Sequence, residues 1–337
     1  MSYRIKYLAL ALLLSILLSS CTGASQPTNE PSPLPPIPTS TPSQTIFHLD
    51  RSALAYGIFE TEATSLTIVV SNTAPGQFKD FTDISIEDAS GVTTYEVQSG
   101  ESTIVHAMPA GKKRVTVTSG LQTKFRNRIT GVFINKITFN EPAVRIAQEG
   151  KRILVYGDSL AVGGNVDDVS AEAWPVLLRK HFSVSVDAYG YRTLYDDAST
   201  VEARSEFAAR IASRGPDRIW LAIGANDYAF EQWSAQQFGQ TYAATLDAIH
   251  SSNSQALLFA QSPILRADES PNVFGDTLEK YRQQIATACL ARPAWCRFVN
   301  GTNPAFPRPD ELDQDGIHLT TKSSAKYAEA VLNIIGK

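Results

Sequence analysis

Histidine and cysteine are scarce in this chain: five of the one and three of the other in 337 residues. Few metal ligands are therefore on offer, and no group of histidines and acids falls at metal-binding spacing. Asp167-Asp168 and Asp196-Asp197 read instead as loop charges. Basic charge is lacking too. Lys and Arg number 30 against 34 Asp and Glu, a formal net charge of −4 that becomes −6 once Arg4 and Lys6 are removed with the leader described below. Such a balance gives no electrostatic footprint for nucleic acid, so no nucleic-acid partner is expected. The apolar stretch Tyr7–Leu18 is too short to span a bilayer comfortably. No internal repeat is present. What the chain does have is a globular composition, 43% hydrophobic with 15 Phe, 12 Tyr and 4 Trp, which excludes disorder, collagen and a coiled coil.

The first twenty residues read as an export signal, with a basic start, an apolar middle and small residues at the end. The closing Leu18-Ser19-Ser20-Cys21 resembles the bacterial lipoprotein cleavage box. That resemblance implies a lipid on Cys21, a membrane as partner through that lipid, and a cell-surface or periplasmic location. Ordinary cleavage near Ala24, giving a secreted protein, is the alternative. Residues 21–45 are rich in Ser, Thr and Pro, hold almost nothing that could enter a core, and suit an extended tether. Cys289 and Cys296 lie seven apart in what reads as an exported chain, where an even pair forms a disulfide more readily than a metal site.

Two textures follow the tether. Over 46–147 the apolar period is two, as in Leu66-Thr67-Ile68-Val69-Val70, Ile84-Ser85-Ile86, Val115-Thr116-Val117, and Val132-Phe133-Ile134 leading to Ile137-Thr138-Phe139. Turn material such as Ala74-Pro75-Gly76, Ser90-Gly91, Ser99-Gly100 and Ala110-Gly111 separates these runs, the pattern of an antiparallel β-sandwich. Over 148–337 short apolar runs (153–156, 183–188, 218–223, 256–260, 297–299) alternate with helical patterns at 173–180, 235–249, 278–290 and 322–335. This alternation predicts an α/β domain, a parallel sheet with helices on both faces. Active groups in such sheets collect at the carboxyl ends of the strands.

Four elements fall at those ends. Ser159 follows the first strand in Gly157-Asp158-Ser159-Leu160, where a glycine permits a tight bend and a hydroxyl can be exposed. Gly190 follows the second and could bring a backbone N–H to the same point. Asn226, in Gly224-Ala225-Asn226-Asp227 after the third, offers an amide donor. His318, in Asp315-Gly316-Ile317-His318 before the last helix, shares its loop with Asp315, a carboxylate able to orient the imidazole. The other histidines sit beside the tether (His48), in an alternating strand (His106) or at helix ends (His181, His250). Each element alone has a plain reading as a cap or turn; the joint occurrence points to nucleophilic catalysis.

These four blocks, in this order, resemble the SGNH or GDSL hydrolase superfamily from about Lys151 to the C-terminus. The second block departs from the pattern, with Ala188 and Thr193 where an Asn and a second Gly are usual. The resemblance implies a flavodoxin-like three-layer fold. It also implies a triad of Ser159, His318 and Asp315 and an oxyanion hole from the N–H groups of Ser159 and Gly190 and the Asn226 amide; no cofactor is implied. The preceding sandwich, jelly-roll-like, resembles that of carbohydrate esterase family 2, through Pro109-Ala110-Gly111-Lys112 to Phe139. The expected activity is hydrolysis of short-chain acyl esters, chiefly O-acetyl, on a carbohydrate or other small ester substrate. A GDSL lipase, lysophospholipase or arylesterase is one alternative, and a glycan-binding lipoprotein without activity another. Trp174, Trp220, Trp233 and Trp295 are candidates for a sugar-stacking platform or for the core.

Overall fold

The structure is a computed structural model that describes residues 45–74, 83–125 and 128–336. The leader, Cys21, the tether up to residue 44 and the turn at Pro75-Gly76 lie outside the described residues. The span Pro42–Lys337 forms one compact unit.

Among the described residues nine strands make the sandwich: β1 (Tyr56–Thr61), β2 (Ser65–Asn72), β3 (Asp83–Asp88), β4 (Gly91–Glu96), β5 (Gly100–Ala107), β6 (Lys113–Thr118), β7 (Gln122–Phe125), β8 (Arg128–Phe139) and β9 (Ala143–Ile146). They pair antiparallel in two sheets, β4-β3-β6-β1-β9 and β5-β2-β8-β7. Alternate residues point inward, as a period of two requires. Phe59, Ile84, Ile86, Val115 and Val117 of the first sheet meet Leu66, Ile68, Val70, Val132, Ile134, Ile137 and Phe139 of the second. β8 carries both apolar runs read from the sequence in one strand. Its register with β2 shifts between Val69, opposite Lys136, and Val70, opposite Ile134, leaving Asn135 as the extra residue of a bulge. The bulge changes the inward parity, so Ile134 and Ile137 both face the core.

The second half holds five parallel strands, β10 (Arg152–Gly157), β11 (Ser183–Ala188), β12 (Arg218–Ala222), β13 (Leu257–Gln261) and β14 (Cys296–Val299), in the order β11-β10-β12-β13-β14. Ile153, Val155, Val184, Val186, Trp220 and Phe259 face one helical layer, which includes Tyr327 and Val331 of helix Thr321–Ile335. Leu154, Tyr156, Ile219, Leu221 and Leu258 face the other, formed by helices Val201–Ser213, Ala235–Ser252 and Leu278–Leu290. This is the flavodoxin-like three-layer arrangement, preceded by the sandwich. Between β10 and β12 the strand order reverses, opening a crevice at their carboxyl ends.

One helix differs from its sequence pattern. Residues 173–180 form a short helix Trp174–Leu177 and a 3-10 turn Leu178–Lys180, separated by extended Ala173 from helix Val169–Glu172. Pro175 in the first turn has no N–H to give to a preceding helix, so a new helix starts there.

Cys289 and Cys296 are joined in a disulfide that closes the end of helix Leu278–Leu290 onto β14. A bridge across so short a loop stabilises by at most about 2 to 3 kcal/mol in the chain-entropy picture. Replacing both cysteines by alanine should lower the unfolding free energy in urea by no more than that amount. A wild-type midpoint that does not move on adding reductant would refute a stabilising bridge.

Candidate active site

Ser159 begins a one-turn helix (Ser159–Val162) directly after β10. The bend is tight because Gly157 lacks a side chain: a β-carbon there would lie 2.7 Å from Ala161 Cβ and 2.9 Å from the Ala222 carbonyl oxygen. Asp158 caps the turn, its carboxylate accepting the Leu160 N–H at 3.0 Å.

His318 reaches this serine across 159 residues of sequence, Nε2 to Ser159 Oγ at 2.9 Å. Its other ring nitrogen, Nδ1, lies 2.5 Å from Asp315 Oδ2. A carboxylate can only accept, so Nδ1 carries the proton, Nε2 accepts, and the serine hydroxyl donates to it. Asp315 also accepts the N–H groups of Ile317 (2.8 Å) and His318 (2.9 Å) through Oδ1. Burial works against its charge. The hydrogen bonds from the imidazole and from the two N–H groups prevail, holding the carboxyl below the usual carboxylate range. The loop is closed by hydrogen bonds from Asp313 N–H to the His318 carbonyl and from Gly316 N–H to the Asp313 carbonyl, both 2.8 Å. Sequence reasoning missed Asn165, whose amide donates to Asp313 (2.8 Å) and Asp315 (3.3 Å) from a left-handed backbone.

Asn226 lies in the short helix Ala225–Ala229 after β12, and its Nδ2 donates to the Arg192 carbonyl at 2.9 Å. An amide nitrogen carries two hydrogens, so this bond orients the group with one donor still to give. The neighbouring Asp227 is fully buried and accepts the N–H groups of Leu194 (3.0 Å) and Tyr195 (3.2 Å). Residues 192–195 are thereby pinned to the loop that carries Asn226. Burial pushes the Asp227 carboxyl up to about 7 and the Asp158 carboxyl up to about 6.

The Gly190 N–H does not meet the expectation for it. It donates to the Gln122 carbonyl of β7 at 3.0 Å, so it is turned to the sandwich and committed there. Gly190 and Thr123 form a single parallel bridge between the two halves. A backbone N–H has one hydrogen, and this one is already used.

A cavity of about 20 Å³ is lined by Asp158, Leu160, Ile223, Ala225, Gln261 and Tyr327 among others, the chain neighbours of Ser159 and Asn226 rather than those two residues or His318. It has room for a group of about the size of one water or one methyl. A larger cavity of about 590 Å³ lies elsewhere, between the outer face of the first sandwich sheet and helices 169–180, among residues such as Tyr56, Arg114 and Arg179. No histidine lines it, so the serine-imidazole pair is not there.

The model of the GDSL-like lipase/acylhydrolase family matches residues 155–325, half of the chain and all of the loops just described. No curated protein sequence matches the chain. Among solved structures, a salicylyl-acyltransferase from a tetracycline biosynthetic pathway superposes with a TM-score of 0.67 at 14% identity, covering 83% of this chain and 81% of that one. A carbohydrate esterase family 2 enzyme of Corynascus thermopiles (Myceliophthora fergusii) gives 0.64 at 18%, covering 86% and 98%. An acetyl xylan esterase of the rumen bacterium Butyrivibrio proteoclasticus gives 0.61 at 14%, covering 87% and 95%. At such identities the likeness is one of fold.

The buried Asp158 sets a pH dependence of stability. Its carboxyl stands near 6 in the fold against 3.8 ordinarily, so the folded state favours the proton; the stabilisation is complete below about pH 4 and is lost as pH rises through about 6. Asp158→Asn keeps a good helix cap and carries no charge. Its unfolding free energy, measured by urea titration, should change less between about pH 4 and 6 than that of the wild type. An equally steep profile would assign the dependence to another group.

Proposed function

The chain belongs to the GDSL-like lipase/acylhydrolase family and is a carboxylic ester hydrolase, and on that premise we propose that it removes short acyl groups, chiefly acetyl, from carbohydrates through Ser159, His318 and Asp315. The observation that carries this reading is the continuous proton path from Ser159 Oγ to His318 to Asp315 at the carboxyl end of the sheet.

Ser159 Oγ attacks the ester carbonyl carbon while its proton passes to His318 Nε2. Asp315, held ionised, fixes the imidazole tautomer and balances the imidazolium that forms. Asn226, oriented by the Arg192 carbonyl, and the Ser159 N–H donate to the tetrahedral oxyanion; Gly190 is left out of this set. The bond to the alcohol then breaks, and His318 returns the proton to the departing oxygen. Water repeats the cycle on the acyl-serine and releases the acid.

Support for a short acyl group comes from the fold likeness to a protein named as an acetyl xylan esterase. Support for a carbohydrate comes from the fold shared with the family 2 esterase and the acetyl xylan esterase. The leader, Cys21 and the tether support an enzyme anchored by lipid at the cell surface or in the periplasm, where such a polymer is met.

Ser159→Ala and His318→Ala should each lower kcat on an acetyl ester by about a thousandfold or more, and the double variant by little further, since nucleophile and base act as a unit. Folded Ser159→Ala protein with wild-type turnover would end this assignment. Asn226→Ala should lower kcat about a hundredfold with KM nearly unchanged; a rise in KM alone would make it a substrate-binding residue.

Specificity constants should favour acetate over octanoate esters. A wild-type preference for octanoate would move the reading to a lipolytic enzyme.

A further inference from the structure

The proton path leaves unexplained the aromatic side chains on its Asn226 side. Trp174 and Trp220, two candidates for a sugar platform, are core residues with 0% and 1% exposure. Tyr191 and Phe230, by contrast, are 51% and 43% exposed. Their ring centroids are 6.2 Å apart with planes 35° from parallel. Both rings are carried by backbone tied to Asn226. The Phe230 N–H donates to the Asn226 carbonyl at 2.8 Å, and the Asn226 amide donates to Arg192, the residue after Tyr191.

Tyr191 also sits at φ 68°, in the left-handed region that residues with a β-carbon disfavour. The turn is held from both sides, by the Gly190 N–H bond to Gln122 and by the buried Arg192 guanidinium bonded to Asp187 and Asp197. A glycine would take this conformation without cost. A strained residue with a large apolar ring turned outward, next to a reactive centre, points to a task for the ring.

We propose that Tyr191 and Phe230 form a sugar-binding wall of the active site, stacking on the C–H face of the pyranose ring whose acyl group is presented to Ser159. This rests on the esterase reading given above. A half-exposed, open pair of rings covers one face of a pyranose and leaves its hydroxyls in water; an alkyl chain would be buried on one side only.

The test uses an acetylated xylo-oligosaccharide and, as an ester without a ring, ethyl acetate. Tyr191→Gly removes one ring while suiting the left-handed backbone, and Phe230→Ala removes the other at an exposed position. In a Ser159→Ala background, which prevents turnover, each should weaken calorimetric binding of the oligosaccharide by about tenfold or more, the scale of losing an aromatic anchor. With Ser159 intact, the loss in kcat/KM on the oligosaccharide should exceed the loss on ethyl acetate by a similar factor. Equal losses on the two esters, or oligosaccharide binding that is absent or indifferent to both rings, would overturn the wall and leave the esterase reading standing. A wild type that hydrolyses neither ester, yet binds the oligosaccharide through these rings, would support the wall and overturn the esterase reading.

Discussion

Parallel pairing of β10 with β12 is the constraint from which the site follows. It sets Gly157 opposite Ala222, so the chain leaves the sheet at two adjacent points, one leading to Ser159 and the other to Asn226. The absent side chain at Gly157 admits both Ala161 and the Ala222 carbonyl, and no larger residue would let the turn that carries Ser159 begin there. Connections from these two strands run to opposite edges of the sheet. Their loops diverge, and the crevice between them needs no side chain to be removed to make room.

Charge is kept in place around this crevice at considerable electrostatic cost. Arg192, 1% exposed, donates to Asp187 and Asp197, and Arg210 closes the group from the outer side. Burial pushes the Asp197 carboxyl up, but the two guanidinium groups draw it down to about 2. Arg192 is also flanked by the rings of Tyr156 and Tyr189, at 4.1 and 4.5 Å. A buried ion group of this kind is poor value as stabilisation alone. Its geometric result is more specific: it immobilises the residue whose carbonyl orients the Asn226 amide. Preorganised donors are effective because nothing has to move when charge develops.

Much of this was legible in the sequence wherever an element buries a continuous or strictly alternating apolar stretch. The five parallel strands, covered on both faces, read as short apolar runs, and helix Leu278–Leu290 has the bounds its pattern predicts. β4 and β5 gave no such signal because most of their residues are exposed. Helix Val201–Ser213 buries only Phe207, Ala208 and Ile211, too sparse a stripe to stand out. In the site, the loops bearing Ser159, Asn226 and His318 were readable because each follows its strand or precedes its helix in local sequence. The direction of the Gly190 N–H was not, because its acceptor, Gln122, belongs to a strand of the other half. The tryptophans follow the core reading, Trp174 and Trp220 buried and Trp233 and Trp295 packed against the core. Their size drew notice, while Tyr191 and Phe230 are set apart only by exposure and backbone conformation, which composition does not carry.

That Gly190 bond changes what the sandwich is. Were the two halves merely packed side by side, their contact would be made of side chains such as Ser85 on the Ser170 carbonyl, 3.0 Å, or Arg179 on Thr118, 3.1 Å, all remote from the reactive serine. Instead a β7 carbonyl accepts the Gly190 N–H, at the start of the loop that continues through Tyr191 and Arg192 to the N–H groups held by Asp227. The position of the Arg192 carbonyl, and with it the aim of the Asn226 amide, is therefore fixed jointly by a strand of the sandwich and by an ion group of the catalytic half. Two anchors from different sheets constrain a loop more tightly than either would alone, and they hold Tyr191 in a backbone conformation that a loop free at one end would relax. The sandwich is on this argument part of the proposed oxyanion side of the site, through the Gly190 N–H bond to Gln122.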